Sequence, residues 1–312
     1  MGLYPKNIRE YLDLQGIPYG PDSEVYLVDE VDGSDSNPGQ TFESPLATIV
    51  EAEDKAVGDN NDTIFMMPGD TAEAPAATIA WDKDYTHLIG LGGDLPGMGQ
   101  RCRIEAGADV DISPVMTISA QGCIFKNLKI TNMKDAATAS GCVLVSGNRN
   151  YFKNMFFGGM GHATPGAIAE SYSLSVSGHE NYFENCVIGL DTVLRAAANG
   201  ELLLSGAHNH FKNCQFQSYS ETQGKFLVIV TNGDDLRYNT FEDCLFINHS
   251  ANWATTLTDV FSLPAGAPTY NIVMKGNNIM VGFTGWADNL THMHSAAAVP
   301  STGFGVAVNP AA

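Results

Sequence analysis

The sequence predicts an all-β fold, a single-stranded parallel β-helix in which the chain winds as a solenoid. The first observation behind this is a repeat. "SGHENYFENCVIG" at residues 177–189 returns as "SGAHNHFKNCQFQ" at residues 205–217. Aligned on the aromatic position, the series runs Phe125, Phe152, Phe183, Phe211, Phe241, then a degenerate copy at Ile279, with spacings of 27, 31, 28, 30 and 38 residues. Self-similarity at such a period marks a repeat architecture. The second observation is the alternating run before each copy: "CVLVSG", "SLSVSG", "ELLLSG" and "LVIVTNG". Alternation with period two reads as strand, and the Ser-Gly or Asn-Gly that follows ends it. The third is an exclusion. No unit carries a long apolar pattern of period 3.6, and the Leu-x-x-Leu-x-Leu frame of leucine-rich repeats is missing.

Each unit is therefore one coil, and a coil cannot bury its inward face alone, so stacking must supply the core. Phe152, Phe183, Phe211 and Phe241 are expected in one inward stack, and Cys186, Cys214 and Cys244 in another. Asn154, Asn185 and Asn213, with Asp243, recur at one bend. They read as a polar ladder bonding backbone where Asn tolerates a left-handed φ. Metal ligands converge on a point, whereas these residues recur along an axis.

In chain order, residues 1–22 form an N-terminal arm with Pro5, Pro18 and Pro21 around "NIREYLDL". Residues 23–285 form the β-helix domain, opening on the alternating "SEVYLVDEV". Ser44 reads as an N-cap with Pro45 at the first helical position, so a short capping helix is expected over about 45–57. "DTIFMMPG" returns as a buried strand closed by Pro-Gly. Residues 286–312 form a C-terminal apolar arm.

The stretch "VDGSDSNPGQTFESPLATIVEAEDKA", followed by "GDNNDTIFMMPGD", resembles the N-terminal start of right-handed parallel β-helix proteins of the pectin-lyase-like superfamily. The resemblance implies a right-handed solenoid whose helix caps the open end. With the Asn-x-Phe-x-Asn-Cys coils it covers roughly residues 23–285. Fold does not imply function, so the site must be argued separately.

The chain has 312 residues, 35 acidic against 16 basic, for a net charge of −19. That balance argues against nucleic acid and anionic membranes, which both demand Lys and Arg. Between Asp22 and Asp70 stand thirteen acidic residues and one basic residue, Lys55. The six cysteines show no Cys-x-x-Cys spacing, which points to reduced thiols and a reducing cytoplasm. The N-terminus lacks a basic region followed by an apolar core, so no signal peptide is expected, and no apolar run is long enough to span a bilayer.

A glycan-cleaving site needs grouped carboxylates or a basic residue placed to take a proton. The candidates are Asp234, Asp235, Arg237 and His179. Hydrolases of the superfamily place paired Asp residues before a Gly-His-Gly and a later Arg-x-Lys. Here Gly178-His179 comes first and no Arg-x-Lys follows, while Arg149 and Arg195 show no spacing to carboxylates. Trp253, in a long inter-coil stretch, is the candidate for stacking on a sugar; Trp81 and Trp286 read as buried or interface residues. Asp32 and Asp35 offer oxygen ligands of the kind Ca²⁺ takes, but the rest of a calcium loop is absent. No other cofactor or metal is implied. His292 and His294 lack a third ligand in reach. His208 and His210 flank Asn209 in a turn.

The ends carry the functional expectation. Tyr4, Pro5, Tyr11, Pro18 and Tyr19 give the first arm docking groups, and Val299, Pro300, Phe304 and Val306 do so in a tail with no charge from Asn289 onward. Such a chain resembles the β-helix structural proteins of tailed bacteriophages. That resemblance implies a homotrimeric, non-enzymatic capsid decoration or cement protein of the virion, assembled in the host cytoplasm and docked on the major capsid protein or another shell protein. The alternative is a polysaccharide lyase or hydrolase, or a glycan-binding tailspike-like β-helix.

Overall fold

The computed structural model describes residues 12, 16–93, 99–196, 199–221, 226–231, 237–250, 256–263, 272–295 and 307–308. Nearly all of the regular structure is β. Three sheets run the length of a parallel β-solenoid, holding ten, eight and eight strands among the described residues. The first sheet runs from Val25–Val28 through Thr63–Met66, His87–Gly90, Ile124–Lys126, Tyr151–Lys153, Tyr182–Glu184, His210–Lys212, Asn239–Glu242 and Ile272–Lys275 to Met293–Ser295. The second begins at Arg103–Ala106 and ends at Ala307–Val308. The third begins at Ile79–Trp81 and ends at Phe283–Ala287. Neighbouring strands are parallel and in register, so equivalent residues of successive coils face each other: Phe125, Phe152, Phe183, Phe211 and Phe241 pair rung on rung.

Register makes the core. Those five phenylalanine rings stack nearly parallel, with centroids 5.0, 4.5, 4.7 and 4.9 Å apart. Cys186, Cys214 and Cys244 lie in the same core with free, buried thiols, as do Cys102, Cys123 and Cys142. Burial pushes the Cys214 and Cys244 thiols well above their ordinary pKa, so they act as small apolar fillers.

Asn127, Asn154, Asn185, Asn213 and Asp243 all adopt left-handed φ, between 51° and 60°. At both ends of that series the side chain bonds backbone: Asn127 Nδ2 donates to Gly90 O at 3.4 Å and Asp243 Oδ1 accepts the N–H of Asn277 at 2.7 Å. Asn154 Nδ2 donates to Asn127 Oδ1 at 3.0 Å, while Asn213 and Asp243 are exposed. A second, buried ladder runs through Asn150, Asn181, Asn209 and Asn239, two residues ahead of each phenylalanine and at most 1% exposed. Oδ1 of Asn181, Asn209 and Asn239 accepts the backbone N–H of the preceding coil's Asn at 2.9–3.0 Å. Nδ2 of the four donates to the carbonyls of Ala120, Gly147, Gly178 and Gly206 at 2.9–3.0 Å. The glycines of the repeated Ser-Gly follow from the same crowding. A Cβ on Gly147, Gly178 or Gly206 would fall on the carbonyl of Ala120, Gly147 or Gly178 respectively.

The capping helix is shorter than the sequence suggests, Ile49–Lys55, with Thr48 as N-cap accepting from Glu51 N at 3.1 Å. Residues 45–48 stay outside the helix because Leu46 pairs with the first strand. Its N–H donates to Leu27 and its carbonyl accepts from Asp29, both at 2.8 Å. The helix packs Ile49, Ala52 and Ala56 into the core. The solenoid also continues past residue 285. Trp286 is 1% exposed, Met293 is 6% exposed, and strands at Met293–Ser295 and Ala307–Val308 join the first and second sheets.

Asp35 is occupied with backbone work. Its carboxylate accepts from Ala47 N and Thr48 N at 2.9 Å each and from Thr48 Oγ1 at 3.0 Å. Nearby, Glu73 is 6% exposed; its Oε1 accepts from Ile49 N at 3.0 Å and its Oε2 is buried without a hydrogen-bond partner. Burial, with Glu30 and Asp35 adding negative potential, pushes its carboxyl up to about 7.

Asn209→Ala strips Asn181 N–H and Gly178 C=O of buried partners and should cost about 2–4 kcal/mol in urea unfolding. Asn213→Ala, at an exposed position, should cost about 1 kcal/mol or less. Folded Glu73 holds a proton that the unfolded chain releases above its ordinary pKa of 4.5. The stability this contributes is present below that value and lost as pH rises through about 7, a loss of about 3 kcal/mol. Unfolding of Glu73→Gln followed from pH 5 to 8 should lack that decline.

Candidate functional site

The turns that carry the chain from the third sheet into the first stack like the strands. Arg149, Glu180, His208 and Tyr238 each stand immediately before a ladder asparagine and each has left-handed φ, between 57° and 59°. Their backbones interlock coil to coil: Arg149 N donates to His179 O, Glu180 N to Ala207 O, and His208 N to Arg237 O, at 2.9–3.0 Å. The ladder holds the turn from inside, so the left-handed residue projects into solvent. At one rung of about 4.8 Å per step, these side chains are brought within reach of one another.

The result is a hollow of about 300 Å³ lined by His179, Glu180, Ala207, His208 and Arg237. His179 and Arg237, 58 residues apart in the chain, thus meet at one site. Asp234 and Asp235 lie outside the described residues, as does Trp253. The hollow also gathers Glu180 and His208, which sequence reasoning did not assign to it. The signal was present: both precede the Asn of the Asn-x-Phe motif. Arg149 Nε pairs with Glu180 Oε2 at 2.5 Å, and Arg195 pairs with Glu201 at 3.4 Å, both side chains 1% exposed. These arginines do have carboxylate partners. Arg149 meets its partner one coil on, which local spacing does not reveal.

His179 has a defined tautomer. Its Nδ1 accepts the N–H of Ala207 at 3.0 Å, so the neutral ring carries its proton on Nε2. His208 packs its ring against Tyr238 at 5.5 Å between centroids. The hollow can therefore offer a hydrogen-bond donor, a second imidazole and a guanidinium.

Two residues downstream the strands of the first sheet present their outer face. Ile124, Tyr151, Tyr182, His210, Thr240 and Val273 line one column, and Lys126, Lys153, Glu184, Lys212, Glu242 and Lys275 the next. The Tyr182 and His210 rings lie 4.7 Å apart, and Tyr151 and Tyr182 5.8 Å apart. The Tyr151 hydroxyl donates to Glu184; burial and that carboxylate raise its pKa. Glu242 meets Lys275 at 2.9 Å, His210 at 3.0 Å and Lys212 at 3.7 Å. The Lys275 hydrogen bond leads in holding its carboxyl below the ordinary range. His210 is lowered by burial, with Glu242 opposing. Lys126, Lys153, Lys212, Lys275, Arg149 and Arg237 are six of the chain's 16 basic residues and lie on one flank, where Lys126 is buried and Arg149, Lys153, Lys212 and Lys275 pair with Glu180, Glu184 and Glu242, leaving six cationic side chains against three anionic ones.

The other expected site residues lie elsewhere. Trp81 and Trp286 are buried, at 0% and 1% exposed; His292 is buried and His294 exposed. Tyr4, Tyr11 and Pro5 of the first arm, and Val299, Pro300, Phe304 and Val306 of the last, lie outside the described residues. Pro18 is exposed. Tyr19 packs with Leu12 and Ile17 on Leu27, Phe65 and Ile89 of the first sheet. The described part of the first arm thus folds back on its own solenoid, because those outward apolar side chains need cover.

No family model matches the chain, and no curated protein matches it in sequence. Solved structures do. A rhamnogalacturonan lyase matches with a TM-score of 0.56 at 13% identity, over 91% of this chain and 87% of that one. Pectin methylesterase PemA from Erwinia chrysanthemi matches at 0.54 and 16% identity, over 89% and 81%. The rice weevil pectin methyl esterase matches at 0.54 and 13%, over 94% of each chain. At such identities the likeness is one of fold, and the pectin-lyase-like β-helix fits. It also corrects the reading of this solenoid as non-enzymatic. The structures that share its architecture over about nine-tenths of its length are enzymes, and none of the three is a virion protein.

Removing Glu242 should depress His210 further, since its charge is what opposes desolvation there. Titration of the His210 ring by NMR in Glu242→Gln should give a lower pKa than in the parent chain; an unchanged or raised value would contradict the assigned geometry.

Proposed function

We propose that the chain is a polysaccharide-cleaving enzyme of the lyase type, acting on an acidic glycan laid along the outer face of the first sheet. The observation that carries this reading is the gathering of guanidinium, ammonium and imidazole groups at the hollow and the adjoining strands, in a chain of net charge −19. A polyanion is repelled by most of such a surface and steered to this flank. The rings of Tyr151, Tyr182 and His210 add faces on which sugar rings can lie. The names of the similar structures, a rhamnogalacturonan lyase and pectin methylesterases, agree with an acidic glycan as substrate.

Hydrolysis calls for two carboxyl groups flanking the scissile bond. Among the described residues the hollow is lined by one, Glu180, already paired with Arg149. Elimination makes different demands. Arg237 would neutralise the uronate carboxylate and so acidify the neighbouring C–H. The His208 imidazole would take that proton; the C–O bond to the leaving sugar breaks as the double bond forms. His179 Nε2–H would donate to the departing oxygen. Each role needs a group within hydrogen-bond reach and a proton in the right place.

The test is incubation with polyuronides, following the ultraviolet absorbance of the unsaturated product. The parent chain should generate it, and His208→Ala or Arg237→Ala should lower the rate about 100-fold or more. New reducing ends without unsaturation would place the chain among hydrolases. Binding without cleavage would make the face a glycan-recognition surface.

A further inference from the structure

The outward side chains of three successive coils alternate in charge. Each coil presents its left-handed turn residue and then two strand residues, at every second position along the chain. The first set is Arg149, Tyr151 and Lys153, the second Glu180, Tyr182 and Glu184, the third His208, His210 and Lys212. All nine are exposed or half-buried. Parallel register sets Tyr182 between Tyr151 and His210, and Glu184 between Lys153 and Lys212. The middle coil is acidic at both edges of the face, whereas the sets on either side of it hold no carboxylate.

We propose that the coil of Glu180, Tyr182 and Glu184 is a subsite for an uncharged sugar, so that the substrate is a glycan in which uronate and neutral sugars alternate. This rests on the reading of the face as the glycan track of a lyase. One pyranose unit advances a glycan by about the 4.8 Å between coils, so one sugar lies over each coil. A uronate over Tyr182 meets a carboxylate whichever edge its own carboxylate turns to, and like charges across a contact are costly. Glu180 is held at one edge by Arg149 at 2.5 Å, and Glu184 at the other by the Tyr151 hydroxyl. A neutral sugar turns hydroxyls to both, and carboxylate oxygens accept such O–H groups. On the flanking coils Lys153 and Lys212 stand 3.7 Å from Glu184 and Glu242. That is longer than a hydrogen bond, so their ammonium N–H groups can turn to a uronate. Alternation also fixes the scissile bond. A uronate over His210 has His208 and Lys212 on its own coil, with Arg237 lining the hollow from the next and His179 on the side of the neutral sugar. His208 takes the uronate's proton, the C–O bond to the neutral sugar breaks as the C=C bond forms, and His179 Nε2–H protonates the departing oxygen. The products are an unsaturated uronate and a neutral reducing end.

Labelled hexasaccharides of two kinds, titrated against the full chain, test this. Oligogalacturonate and oligoglucuronate carry a carboxylate on every ring; fragments of hyaluronan, unsulfated chondroitin and an alternating galacturonate–rhamnose chain carry one on every second. At least one alternating fragment should bind about 10-fold tighter than either uniform one, although it holds half the charge. Glu184→Gln keeps an acceptor for Tyr151 and should cut that ratio about 10-fold by strengthening the uniform fragments alone. Glu180→Gln should act in the same direction. Both positions are partly exposed, so the thermal unfolding of each variant should match the parent. A uniform fragment that binds as tightly as every alternating one overturns the proposal, as does a ratio that neither variant moves, or a uronate at the new reducing end by mass spectrometry. Selective binding of alternating fragments with no unsaturated product upholds the subsite and sinks the lyase reading; binding of neither kind sinks both.

Discussion

Everything at the candidate site depends on one buried side chain per coil, the asparagine two residues ahead of the core phenylalanine. A solenoid turn must break its strand ladder, and a broken ladder leaves backbone N–H and C=O groups without partners in a dry place. A side-chain amide carries one acceptor and two donor hydrogens. Asn181, Asn209 and Asn239 use both ends to satisfy a peptide N–H and a glycine carbonyl of the coil before. A shorter or apolar side chain leaves those groups bare. The bond crosses between coils, so it also sets their register, and register sets which residues stack.

Register then turns a sequence period into faces of different chemistry. The same coil-to-coil step that stacks Phe152 on Phe183 inside also stacks Tyr151 on Tyr182 and His179 beside His208 outside. Variation at an inward position is penalised by packing, whereas outward positions are free to differ coil by coil. One sheet has accumulated lysine, glutamate, tyrosine and histidine; another has kept serine, threonine and leucine.

The left-handed turns link the two ideas. A non-glycine residue in that conformation is uncommon and costs free energy unless its surroundings over-determine it. Here four successive coils accept it at Arg149, Glu180, His208 and Tyr238, each next to a ladder asparagine and the first three also held by a backbone bond to the following coil. The hollow is thus built on a repeated, rigid turn, which suits a site that must hold a guanidinium and two imidazoles in fixed relation.

The winding is legible in the order of the amino acids alone. Alternation, the phenylalanine period and the Ser-Gly punctuation are local signals, and they are enough to specify coils, their inward stacks and the left-handed bends at Asn154, Asn185, Asn213 and Asp243. That order does not reveal which of the two asparagines in Asn-x-Phe-x-Asn faces inward to bond between coils, because both have the same composition and recur with the same period. The start of the capping helix was equally hidden: Ser44 and Pro45 have the chemistry of a helix start, but Leu46 is claimed by a strand whose partner lies 18 residues earlier. Stacking of the coils is what brings His179, Glu180, His208 and Arg237 to one hollow, gives Arg149 and Arg195 their carboxylate partners, and offers the described part of the first arm an apolar surface on its own solenoid. Loops of unequal length separate those residues along the chain. Their neighbourhood is created by stacking, a property of the coils together that no single coil's sequence contains.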